Sequence, residues 1–162
     1  MKKLVIIVVT MINVALLSSF LVRDPVPPEV AYPTGYRNWA HMKTTMNKSG
    51  VASHTGFQHI YANEKAIAGY AAGKFAEGSV FVFDVLETKE QPDGNLLEGK
   101  RKLIDVMVKD SSRYPATGGW GFEEFKGDSK TERVIKSMAV KYCYSCHANT
   151  PTTGYVFSKY RE

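Results

Sequence analysis

A chain of 162 residues has room for one domain with a sizeable core. Its composition, 44% hydrophobic and 12% aromatic, excludes a disordered or fibrous protein and provides enough rings to wrap a flat apolar group. Lysine and arginine outnumber aspartate and glutamate by 21 to 16, but no basic run concentrates that excess. Nucleic acid is therefore excluded as a partner, and the net +5 is assigned to anionic cofactor groups or an acidic redox partner.

The chain opens with Met1-Lys2-Lys3 and then an apolar run from Leu4 to Val22. The lysines predict that this end stays in the cytoplasm. The run is longer than the usual signal-peptide core, yet Thr10, Asn13, Ser18 and Ser19 weaken it as a membrane span. Residues 1–23 are read as a cleaved signal peptide or an uncleaved anchor. Both place the rest of the chain in the periplasm or on the outer face of the cytoplasmic membrane, with this segment its only membrane contact. Residues 24–31, with Pro25, Pro27 and Pro28, read as a stiff tether. The domain is expected to occupy 32–162.

Apolar residues at Tyr36, Trp39, Ala40, Met42 and Met46 fit a first amphipathic helix from Tyr36 to about Asn47, closed by Gly50. Phe57 to Tyr61 is a short strand candidate. Asn63 caps a helix over Glu64 to Ala72, stopped by Gly73. Ser79 to Leu86 is the strongest strand, with Phe81, Phe83 and Val85 on one face. Glu90 to Gly99, with Pro92-Asp93-Gly94, is turn material. Arg101 to Lys109 should pair antiparallel with the preceding strand. Gly118 to Phe122 reads as a third strand, its glycines permitting close approach. Ser129 and Glu132 form a capping-box pattern, which predicts a helix from about Thr131 onward. The sum is an α+β fold, a mainly antiparallel sheet with flanking helices.

Near the C-terminus comes the most specific motif, Cys143-Tyr144-Ser145-Cys146-His147. Two thiols one helical turn apart, followed at once by histidine, match the attachment signature of a c-type haem. Each thiol adds to one vinyl group, and the imidazole reaches the iron from the proximal side. A zinc site would need further ligands at suitable spacing, and no second cysteine pair exists. A thiol redox pair needs no trailing histidine. The expected cofactor is one covalent haem c with its iron, held by Cys143, Cys146 and His147. With both cysteines used, no disulfide is expected.

A small electron carrier usually has this motif near its N-terminus and a methionine ligand downstream. Here no methionine follows the motif, the last being Met138. Met107 is the strand-borne candidate for a sixth ligand, but a core role is the plainer reading. His54 and His59 are further candidates. His41 is expected to be solvated on the first helix.

Taken together, these pieces resemble the cytochrome P-460 family, which includes the β-type cytochromes c-prime. The likeness is carried by Tyr32-Pro33-x-Gly35-Tyr36-Arg37-x-Trp39, Tyr61-Ala62-Asn63 and Phe75-x-x-Gly78-Ser79-Val80. It continues through Val108-Lys109-Asp110-x-x-Arg113-Tyr114, Gly119-Trp120-x-Phe122, the haem motif and Tyr155 to Tyr160. The resemblance implies a mainly antiparallel fold, often a homodimer, with one five-coordinate haem. It also implies either hydroxylamine oxidation or nitric oxide binding. Hydroxylamine-oxidising members carry a lysine cross-linked to the porphyrin, and this chain places Phe83 there. An aromatic cap resembles the nitric-oxide-binding branch. The expectation is therefore an exported mono-haem cytochrome that binds a small neutral ligand such as nitric oxide. The alternatives are a hydroxylamine or nitric oxide oxidoreductase working with a partner cytochrome, and a six-coordinate electron carrier. No distal carboxylate is placed, since Asp84 should face away from Phe83 and Asp105 lies in the next strand.

Overall fold

The computed structural model describes residues 29–160; the expected leader at 1–23 and residues 24–28 of the tether lie outside them. Five strands, β1 (Ala40–Asn47), β2 (Gly56–Ala62), β3 (Val80–Glu90), β4 (Leu96–Lys109) and β5 (Trp120–Lys126), form one antiparallel sheet in sequential order. Short connections make this meander. Gln91–Asn95 turns β3 into β4, with Gly94 at φ 81° and the Gln91 amide bonded to the Asn95 carbonyl at 2.8 Å. The turn is therefore shorter than Glu90 to Gly99, because both strands continue into that stretch as a hairpin.

The expected first helix is a strand. A single 3-10 turn at Tyr36–Asn38 is followed by extended Trp39, and β1 then pairs with β2. Its helix-like spacing has a physical cause. An irregularity between His41 and Lys43 shifts the period-2 alternation and imitates a longer repeat. Helix α1 (Glu64–Ala72) begins and ends where its caps predict. The Asn63 side chain accepts the Ala66 amide, and Gly73 closes the helix at φ 66°.

The helix expected from Thr131 starts later. Ser129 Oγ does accept the Thr131 and Glu132 amides, but the chain then runs along the edge of β5. There Lys126 bonds Glu132, Val134 bonds Glu124, and Phe125 bridges Arg133. Open ladder groups on an edge strand compete successfully with helix formation. Helical backbone begins at Lys136–Met138 and continues as a wide turn over Val140–Tyr144 into α2 (Ser145–His147).

The sheet is packed on both faces. Val82, Ile104, Val106 and Phe125 meet Val30, Tyr36 and Tyr114 on one side. Phe81, Met107, Trp120 and Phe122 meet Ala66, Phe75 and Val156 on the other, against which Cys143 and Tyr144 also pack. Among the described residues no helix is long and apolar enough to cross a membrane.

Candidate functional site

Two cross-strand rows form the floor of a cavity of about 710 Å³. In one, Phe81, Met107 and Phe122 stand side by side on β3, β4 and β5. In the other, Ile60, Phe83, Asp105 and Glu124 do so from β2 to β5. Strand alternation puts both rows on one face, since their members are two residues apart in each strand. Cys143, Cys146 and His147 line the same cavity, with Tyr142, Val156 and Phe157. The thiol-histidine motif and Phe83 therefore share one space.

The motif's side chains differ in environment. Cys146 is exposed and Cys143 is half-buried, where burial pushes its thiol up to about 12. His147 Nδ1 donates to the Tyr155 carbonyl at 2.6 Å, which leaves Nε2 with the lone pair. Burial pushes the His147 pKa down and favours that neutral, ligating form. Its ring is held between Phe122 and Phe157, at centroid distances of 5.0 and 4.8 Å. Tyr155 sits at φ 68°, a left-handed conformation rare outside glycine, just where its carbonyl meets His147.

An ionisable group of three lies on the same wall. His54, Asp105 and Glu124 place ligand atoms within 4.8 Å of one another. His54 Nε2 is 2.9 Å from Asp105 Oδ2, and its Nδ1 is 2.9 Å from Ser53 Oγ. The turn carrying His54 is pinned by Lys102, which donates to the Ala52 and Thr55 carbonyls at 2.5 and 2.9 Å. The hydrogen bond to Asp105 raises the His54 pKa. Desolvation, and then the Asp105 charge, raise that of Glu124. The three groups are thus close enough to influence one another's ionisation.

A family model described as cytochrome P460 matches residues 33–158, most of the chain. The chain belongs to the cytochrome P460 family. No curated protein matches the sequence. Membership makes this P460 protein a haem-binding cytochrome, and its residues fit that group. The cavity is of porphyrin size, its walls are largely apolar and aromatic, and an imidazole with a free Nε2 borders it.

The other sequence candidates separate by face. Asp84 points away from the cavity, as the alternation predicts. It is fully buried, bonded by Tyr36 Oη and Arg101 Nε, both at 2.7 Å, with Arg37 at 3.2 Å. His59 also lies on that far face. Its Nδ1 is 2.9 Å from Thr44 Oγ1, which His41 also meets, and its Nε2 is at ion-pair distance from Glu98, 2.8 Å. His59 is thus removed as a sixth ligand, and exposed His41 stands on β1 rather than on a helix. His54 reaches the cavity, but both ring nitrogens are engaged. Met107 lines the cavity as part of the apolar core. Glu124 and the Asp105 pairing were missed by the sequence reading. Parity with Phe122 and Met107, two residues away, was the signal that pointed to them.

Proposed function

We propose that Cys143 and Cys146 hold one haem c covalently, that His147 is the proximal ligand to its iron, and that the open face takes a small neutral ligand such as nitric oxide beside Phe83. The observation that carries the reading is the shared cavity: motif and Phe83 line one space, in which both other candidate ligands are occupied, His54 by its hydrogen bonds and Met107 by core packing. The bound group supplies the ligand-binding iron and its one-electron chemistry. This chain's residues do the rest. Tyr155 fixes the His147 tautomer, Phe122 and Phe157 hold its ring, and Phe83 gives the ligand an apolar neighbour. The lysine-led apolar run at 1–22 supports a place for this chemistry outside the cytoplasmic membrane.

The test is direct. Denatured wild-type protein should keep haem-dependent peroxidase staining, and Cys143→Ala plus Cys146→Ala should lose it. The ferrous protein should show a five-coordinate spectrum that changes on adding nitric oxide. A six-coordinate ferrous spectrum unaffected by nitric oxide would reject the reading.

A second reading is favoured by one specific observation, the His54–Asp105–Glu124 group on the cavity wall. Hydroxylamine oxidation releases protons with its electrons, and a positioned acceptor contributes about a hundredfold or more. Asp105→Asn should then lower hydroxylamine turnover by about that factor and shift its pH profile, with nitric oxide binding retained. Equal turnover in both proteins would remove the group from the chemistry.

A further inference from the structure

The run that leads into the haem motif has an unusual charge. From Arg133 to Tyr160 there is no aspartate or glutamate, while Arg133, Lys136, Lys141 and Lys159 are all present. Arg133 is used internally, at 3.4 Å from Glu29 and 3.3 Å from Glu123. Lys136 and Lys141 are in no ion pair among the described residues. Between them Met138 and Val140 are 45% and 49% exposed. Neither borders the haem cavity, so a bound haem does not cover them.

Beside this strip lies a second cavity of about 580 Å³, a groove between residues 112–117 and 136–140. Its walls include Tyr114, Phe122 and Val140, with Arg113 and Lys136 as its cations. Its two carboxylates, Glu29 and Glu123, are those already paired with Arg133. The location matters as much as the charge. Val140 is one helical turn before Cys143, and Phe122 borders both cavities, its ring 5.0 Å from that of His147.

We propose that this groove, with Lys136 on its wall and Lys141 next to Val140 in the chain, is the docking surface for an acidic one-electron redox protein that presents an apolar side chain among carboxylates. The proposal rests on the reading of a haem ligated by His147. In each encounter the partner's redox centre loses one electron and the haem iron gains it, or the reverse. Phe122 lines both the groove and the cavity in which His147 would hold the iron. Exposed lysines steer the approach, and the apolar groove gives the contact its short range and its register.

The test uses the ferric holoprotein, mixed in stopped flow with a reduced acidic flavodoxin and, separately, with a neutral hydroquinone. The flavodoxin rate should fall as ionic strength rises. Lys136→Glu plus Lys141→Glu should lower it about tenfold, with the hydroquinone rate and the midpoint potential unchanged. Val140→Glu, which alters no lysine, should lower it as well. A salt-independent rate, or equal rates in wild type and variants, overturns the proposal. So does a matched loss with both reductants, because the lysines then act on the haem itself. A dimer that Val140→Glu dissociates would assign the groove to a second copy and overturn it too. Absence of haem staining after denaturation rejects covalent attachment alone, since a tightly bound haem still reports the docking rates.

Discussion

Phe83 and Asp84 are neighbours in the chain and face opposite sides of β3. Phe83 is half-buried in the cavity lined by the motif, its ring 6.3 Å from that of His54 at an interplanar angle of 26°. Phe83→Ala should raise the association rate of nitric oxide in stopped flow, at a cost of about 1–3 kcal/mol, below that of a fully packed ring. Unaltered binding rates would remove Phe83 from the ligand's path. On the same wall, Asp105 holds the His54 pKa above its usual value, mainly through their hydrogen bond. The sign follows from linkage. Stabilisation by a raised histidine is full below its unfolded value of about 6.5 and is lost as pH rises through the folded one. Asp105→Asn should therefore move the His54 titration to lower pH, followed by NMR in the diamagnetic ferrous carbonyl form. An unmoved titration would show that another group sets it. Period-2 alternation set Phe83 and Asp84 on opposite faces, while the family resemblance singled out Phe83 as the cap. The partners of Asp105 were hidden because they come from a turn and from the next strand.

At the scale of elements, legibility follows how local the determinants are. Helix α1 was readable because its cap, its length and its terminal glycine lie within eleven residues. Asn63 does more than cap. Its Oδ1 also accepts the Val80 amide, and its Nδ2 donates to the Gly78 carbonyl, so one side chain ties α1 to β3. Asn63→Ala should cost about 2 kcal/mol and lower Tm by about 4–8 °C in thermal unfolding. A loss below about 0.5 kcal/mol would mean that water replaces all three bonds. Strand β1 was misread because a one-residue irregularity disguised its period. Its identity comes from pairing with β2, a contact absent from local sequence. The region after Ser129 shows the same competition. The capping bonds form as its pattern predicts, yet the edge of β5 and the Glu123 carboxylate, which accepts the Ile135 and Lys136 amides at 3.1 Å, postpone the helix.

For the whole molecule, the sheet is a partition. One face carries the cavity lined by the thiol-histidine motif, and the other buries Asp84 with Tyr36, Arg37 and Arg101. Removing the carboxylate leaves Arg101, whose side chain is 15% exposed, without its main partner. Asp84→Ala should therefore destabilise the fold by about 3–5 kcal/mol while leaving the nitric oxide rate of the folded protein as in wild type. Phe83→Ala has the reverse profile. A changed ligand rate in Asp84→Ala would mean that the two faces are coupled through the sheet.

The amino-acid sequence by itself determined what depends on short spacing. The thiol pair and its histidine, the capped helix α1, the two-faced strand β3 and the α+β class all follow from residues within a turn or a strand of one another. The tertiary structure alone decided which strands lie side by side. It placed Asp105 between Phe83 and Glu124, turned His59 away and brought His54 in. The physical reason is register. Moving one strand by a single residue against its neighbour sends every side chain to the other face, and that register is set by packing across the whole sheet rather than by any local pattern.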